Sequence, residues 1–210
     1  MSNRVSRITR TGRRLADSDP FFRQAKSDGY VSRAAFKLLE IQQKHKIIPP
    51  GGKILDLGCH PGAWLQVACQ SLGPRAKGGL ILGVDIQATS APPRYCDDRV
   101  RIFQADARTL VTDAYKSLDL ARIAYEIAAM HAGASYGEEK AESADRPTRT
   151  RTSTGVLKPG GSLVMKLLQG PGTQEFAQEL REYFGKVAWH RPKATRSESK
   201  EVFLLGLKKK

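Results

Sequence analysis

The stretch GSLVMKLLQG, residues 161–170, reads as a β-strand, yet Lys166 sits near its end between Met165 and Leu167. An ammonium group in a run that wants burial needs a reason to be there. If the strand buries it, desolvation lowers its pKa, and moving a lysine from ~10.4 to near 7.5 costs roughly 4 kcal/mol. The neutral amine can then take a proton from a hydroxyl. A lysine that snorkels to the surface is the other reading. Three further features point the same way. LDLGCHPGAW, residues 55–64, sets Gly58, Pro61 and Gly62 directly after an apolar run, and Asp85 and Asp106 close two later runs. Glycines let a backbone approach a ligand and take positive φ. A carboxylate at one strand tip can accept ribose hydroxyls, and one at the next tip an adenine amino group. Either aspartate alone is equally a turn or cap residue. Together the three turns describe a nucleoside cofactor without a dedicated diphosphate cradle, which suggests S-adenosylmethionine. No G-x-G-x-x-G is present, since Cys59 and His60 separate the glycines, and this disfavours a nicotinamide-dependent dehydrogenase.

These residues need elements to hold them. Residues 30–48 have helical spacing at Ala35, Leu38 and Leu39, with Ser32 as a cap and IPPGG as the stop. Ile54–Leu57 is a short apolar strand. The helix after it carries Trp64, Leu65, Ala68 and Leu72 on one face and ends at Gly73. Strands ending at Asp85 and Asp106 follow, and residues 115–130 form an amphipathic helix. After the Lys166 strand, residues 173–187 form a helix with Phe176, Leu180 and Phe184 on one stripe, and residues 200–210 close as a strand with a basic tail. Strand, glycine-rich turn, helix, strand is the pattern of an α/β fold: a Rossmann-like, mostly parallel sheet with helices on both faces.

The chain has 210 residues and a formal charge of +14, from 35 Lys and Arg against 21 Asp and Glu. One domain and a polyanionic partner, ordinarily nucleic acid, follow from these values. A basic structural protein of the ribosome is the plainer reading of the same charge. Cys59, Cys69 and Cys96 form no C-x-x-C pair and are odd in number, so neither a disulfide framework nor a zinc site is expected. No apolar run approaches ~18 residues and no signal-peptide core is visible. A soluble protein of the cytoplasm or of an organelle, without a metal and simplest as a monomer, is the expectation. Residues 1–18 hold arginines with one acid, Asp17, and read as a basic arm or a targeting segment. The domain proper is 19–210. Residues 131–155 have almost no large apolar side chains and read as a disordered insertion.

Four motifs carry a resemblance. YVSRAAFKLLEI, ILDLGCHPGAW, LKPGGSLVMKLLQG and SKEVFLL resemble the FtsJ-like family of large-subunit ribosomal RNA 2′-O-ribose methyltransferases, from about Asp19 to Leu205 apart from the middle. The resemblance implies S-adenosylmethionine as donor, ribosomal RNA or the large ribosomal subunit as partner, and a Lys–Asp–Lys–Glu tetrad. Matched by position, the first lysine is Lys37, the second Lys166 and the glutamate Glu201. Lys166 would deprotonate or orient the 2′-hydroxyl, while Lys37 and Glu201 would tune it and position the ribose. Cofactor contacts would fall to Gly58, Gly62, Trp64, Asp85 and Asp106.

The pattern breaks in the middle. The family's aspartate sits in a central strand of the type VVxSDMAP, well beyond the position of Asp106. Here the chain runs QADARTLVTDAYKSLDLARIA, and that fourth strand is missing. Asp113 in LVTDA is a stand-in, but residues 107–112 are too few for a parallel crossover, which needs about a dozen. Cys59, His60 and Ala63 also depart from the family's glycine-rich turn. A relative that binds RNA or S-adenosylmethionine with impaired catalysis is therefore the alternative expectation.

Overall fold

The computed structural model describes residues 19–107 and 156–210. The expected basic arm, the helix over 115–130, the insertion over 131–155 and Asp113 lie outside the described residues.

The described chain opens with a helix not anticipated above, α1 (Pro20–Asp28). Asp19 caps it by accepting from the Phe21 and Phe22 amides at 3.0 and 3.3 Å. Pro20 suits the first turn, where its missing N–H costs nothing. Gly29, at φ 80°, ends the helix in the left-handed region. Next comes α2 (Ala34–His45). Ser32 Oγ accepts from the Ala34 amide at 3.2 Å at its entry. Lys46, left-handed at φ 51°, ends it before the IPPGG stop is reached.

The first sheet follows: β1 (Lys53–Leu57), α3 (Ala63–Ser71), β2 (Leu80–Asp85) and β3 (Val100–Gln104). Gly73 ends the α3 turn at φ 72°, as expected. The three strands are parallel in the order β1-β2-β3, with Asp56 opposite Gly83 and Val84 opposite Phe103. One expectation shifts: β3 stops at Gln104, so Asp106 lies two residues beyond the strand rather than at its tip.

The second sheet is built from β4 (Leu163–Leu168), α4 (Thr173–Tyr183), β5 (Phe184–His190) and β6 (Glu201–Lys209). Its order is β4-β6-β5 and both pairings are antiparallel, so among the described residues the parallel pairing of the expected Rossmann-like fold is carried by the first sheet. The α4 helix also ends earlier than its apolar stripe suggests. Phe184 leaves the helix to open β5 and lies beneath Gly206 of β6, where an added Cβ would stand 2.7 Å from its ring. The stripe is apolar because Phe184 is buried either way.

Packing explains the layout. Leu38 of α2 and Leu65 of α3 join Ile81 of β2 in one core. Ile41 of α2 reaches the second sheet and packs with Phe203 and Leu205 of β6, with Trp64 against them. The other face of β6 presents Val202 and Leu204 to Phe176 and Leu180 of α4. Side chains alternate along a strand, so β6 serves both layers at once. Among the described residues β1 pairs only with β2, and β4 only with β6. The two sheets thus each end on an edge strand, and the layer of α2 and α3 packs against both.

Candidate active site

Glu201 is the first residue of β6 and lies opposite Leu168 of β4, while Lys166 lies opposite Phe203. Lys166 and Glu201 are therefore diagonal neighbours on one face of the ladder. That face, shared with Phe203, is the one covered by α2, and Lys37 comes down from the helix onto it. Lys37 Nζ hydrogen-bonds Glu201 Oε1, and Lys166 Nζ lies 3.0 Å from Oε2. One carboxylate, only 7% exposed, thus bridges two ammonium groups, and the cluster carries a net charge of +1. Burial works to raise the Glu201 carboxyl, but the hydrogen bonds from Lys37 and Lys166 outweigh it and hold the group below the usual carboxylate range. The expected burial of Lys166 is not found: its side chain is 61% exposed. The cause is its strand, since β4 is the open edge of its sheet among the described residues.

The loop before β6 sets where Glu201 stands. The Arg191 guanidinium donates to four carbonyls: Glu201 at 3.1 Å, Arg196 at 3.1 Å, Ser197 at 3.3 Å and Ser199 at 2.7 Å. The Glu201 amide donates to Ser199 Oγ at 3.1 Å. From the helical side, Arg33 pairs with Asp19 and donates to the Ala194 carbonyl. Lys193 donates its amide to Glu40 Oε2 at 2.8 Å. The loop is fixed from both of its ends and from α2.

The second half of the site lies at the ends of β1 and β2. Gly58, at φ 80°, donates to the Val84 carbonyl at 2.8 Å, and no described atom stands within 4 Å of where its Cβ would be. Gly62, at φ 103°, begins the turn into α3, and a Cβ there would stand 2.7 Å from Pro92 Cγ. Asp85 accepts from the His60 amide through Oδ2 and from the Gln87 amide through Oδ1, both at 2.8 Å. Ile86 beside it is 59% exposed, an apolar surface next to a polar one. Asp106 is half-buried just past β3. Trp64 connects the two halves: its Nε1 donates to the Ala34 carbonyl of α2 at 3.1 Å, and its ring lies 5.7 Å from that of Phe203.

Arg191, Ile86, His60 and Asp56 enter the site without having been singled out as site residues in the sequence. Asp56 had a visible signal, a lone acid inside the apolar run ILDL. Its Oδ2 is buried without a hydrogen-bond partner among the described residues. Burial, and secondly the charge of Asp85, push its carboxyl up to about 7. Burial likewise pushes the Cys59 thiol up to about 12, with Asp56 and Asp85 adding to it. All three cysteines are free thiols. Among the described residues no group of three or more His, Cys, Asp or Glu side chains is arranged to hold a metal. None of the described helices is long and apolar enough to cross a membrane.

A family model described as FtsJ-like methyltransferase matches residues 30–209. A protein of Desulfatibacillum aliphaticivorans named ribosomal RNA large subunit methyltransferase E is 32% identical over 194 residues, spanning 91% of both chains. Its namesake in Methylobacillus flagellatus is 37% identical over 198 residues, spanning 92% of both. A solved structure from Plasmodium falciparum, described as a ribosomal RNA methyltransferase, superposes with a TM-score of 0.55 at 22% identity, covering 86% of this chain and 98% of its own.

Proposed function

The chain belongs to the FtsJ-like methyltransferase family, and on that premise we propose that it methylates a ribose 2′-hydroxyl of large-subunit ribosomal RNA with S-adenosylmethionine as donor. The observation that carries this reading is the Lys37–Glu201–Lys166 cluster, drawn together from a helix and two strands by residues far apart in sequence.

The crevice at Gly58 and Asp85 fits the donor. Its open space over Gly58 admits a close backbone approach, Asp85 keeps lone pairs for ribose hydroxyls, and exposed Ile86 offers an apolar surface to a base. Gly62, Trp64 and Asp106 complete the set that would hold it. When bound, S-adenosylmethionine supplies a methyl group activated by its positively charged sulfur. The rest falls to the chain. Lys166 has three donors and spends one on Glu201, so two remain to hold the 2′-oxygen with a lone pair facing the methyl group. Its exposure and its pairing with a carboxylate favour this orienting role over that of a neutral base. The hydroxyl proton leaves to water at this open site. Glu201 fixes Lys166 in place, and Lys37, anchored in α2, fixes Glu201. Positioning of this kind supplies much of the rate in a displacement between two held groups. Basic residues supply the phosphate contacts, and an unpaired nucleotide brings its ribose within reach.

The test is transfer of a tritiated methyl group from S-adenosylmethionine to undermethylated large ribosomal subunits. Transfer should occur with the wild-type chain and fall at least 100-fold in Lys166→Ala, in line with the loss of a positioned catalytic group. Absence of transfer by the folded wild-type chain would leave a protein that binds its ligands without turning them over.

A further inference from the structure

We propose that His60 is a ribose-binding residue, accepting through Nε2 a hydrogen bond from a hydroxyl of the bound nucleoside. The inference rests on the crevice reading above and extends it to a residue at which this chain departs from the family's glycine-rich turn. His60 and Asp85 belong to one constellation, because the His60 backbone N–H donates to Asp85 Oδ2 at 2.8 Å. The imidazole is held as well. Its Nδ1 lies 3.0 Å from Thr89 Oγ1, and the same Oγ1 lies 3.0 Å from the Gln87 carbonyl oxygen.

The proton inventory places a proton on Nδ1. A hydroxyl has one proton, and a carbonyl oxygen can only accept. Both contacts are made at once only if Thr89 donates to Gln87 and accepts from the His60 Nδ1–H. A neutral imidazole with its proton on Nδ1 has a bare lone pair on Nε2. His60 is exposed, and its Nε2 makes no hydrogen bond among the described residues. With the ring neutral, the crevice at the ends of β1 and β2 therefore offers two acceptors: the spare lone pairs of Asp85 from β2 and the Nε2 of His60 from the turn after β1. A ribose has two adjacent hydroxyls, and each can donate. Two acceptors in one crevice, joined by the His60 amide's bond to Asp85, match that diol, whereas one carboxylate already engaged by two amides serves it less fully.

Calorimetric titration with S-adenosylhomocysteine tests this, using wild type, His60→Ala, Thr89→Val and the double variant, each also titrated with the 2′-deoxy and 3′-deoxy analogues. His60→Ala should weaken S-adenosylhomocysteine binding about 5- to 10-fold, the loss expected for one hydrogen bond. Thr89→Val frees the ring to carry its proton on Nε2 and should weaken binding by a smaller factor, with the double variant no worse than His60→Ala. With the analogue lacking the partner hydroxyl, His60→Ala should cost nothing. The inference is overturned if His60→Ala costs nothing with S-adenosylhomocysteine, or costs the same factor with it and with both analogues. Should His60→Ala fail to fold, as judged by thermal melting, Thr89→Val decides: unchanged affinity overturns the inference. A folded wild type that binds no S-adenosylhomocysteine would be a different failure, removing the crevice reading itself and this inference with it.

Discussion

Glu201 holds two ammonium groups with one buried carboxylate, and Lys37, 16% exposed, has little solvent to fall back on. Glu201→Gln should therefore abolish methyl transfer and lower stability by about 3 kcal/mol in denaturant unfolding, because a buried charge loses its partner. The pH dependence has a definite sign. The folded carboxyl titrates below its unfolded value, so its stabilisation is complete above ~4.3 and is lost as pH falls through the lower folded value. The gap between wild type and Glu201→Gln should close only in acid. Asp56 acts in the opposite sense. Its folded carboxyl is raised to about 7, so between ~4 and 7 the unfolded chain is ionised while the folded group keeps its proton. Stability should fall across that window by up to about 4 kcal/mol. Asp56→Asn should remove most of that slope and be the more stable protein at pH 8, as read by melting temperatures across the range. Lys37, Lys166 and Glu201 were legible in the sequence because each sits inside a short motif. Arg191 was not, because its partners are backbone carbonyls, which no side-chain pattern encodes.

The elements differ in how plainly they announce themselves. The three strands of the first sheet are apolar runs closed by turns, and each lies close to where periodicity puts it. Helix α1 escaped notice because its nine residues bury one side chain, Ala25, although Asp19-Pro20 at one end and Gly29 at the other mark its bounds. Strand β5 escaped because it continues the apolar stripe of α4 through Phe184, and a shared buried residue hides the change of period. Two variants probe this level. Gly206→Ala would drive a methyl group into the Phe184 ring, and overpacking at a central strand should cost about 1–3 kcal/mol by denaturant unfolding. Arg191→Ala releases four carbonyls of the loop that presents Glu201. Methyl-transfer rate at saturating RNA should drop at least tenfold, while affinity for S-adenosylhomocysteine, for which the crevice at Gly58 and Asp85 is proposed, should stay within twofold; a tenfold loss is about 1.4 kcal/mol.

At the scale of the whole molecule, a charge of +14 makes RNA affinity a function of salt. If six to ten phosphates are contacted, affinity should fall by roughly 10³-fold or more between 50 and 200 mM salt, measurable by filter binding. A flat salt response would show that the charge serves another purpose. Among the described residues the strands fall into two sheets, and the central strand expected to be missing would fall in residues outside them; that expectation came from spacing alone, since too few residues separate Asp106 from the next helical stretch. How the halves stay together was not legible. Their common layer depends on Ile41 and Trp64, whose partners Phe203 and Leu205 come from the far end of the domain.

The order β4-β6-β5 also governs how the protein is made. The strand in the middle leaves the ribosome after both of its neighbours, at about 5–20 residues per second. Until β6 emerges, β4 and β5 have no ladder to join among the described residues, and Met165, Leu167 and Phe184 lack the cover of Val202 and Leu204. The residue that opens β6 is Glu201, so the newborn chain gains its Lys37–Glu201–Lys166 cluster and closes its second core in one step. A nascent polypeptide arrested before β6 should be sticky, protease-sensitive and unable to methylate anything.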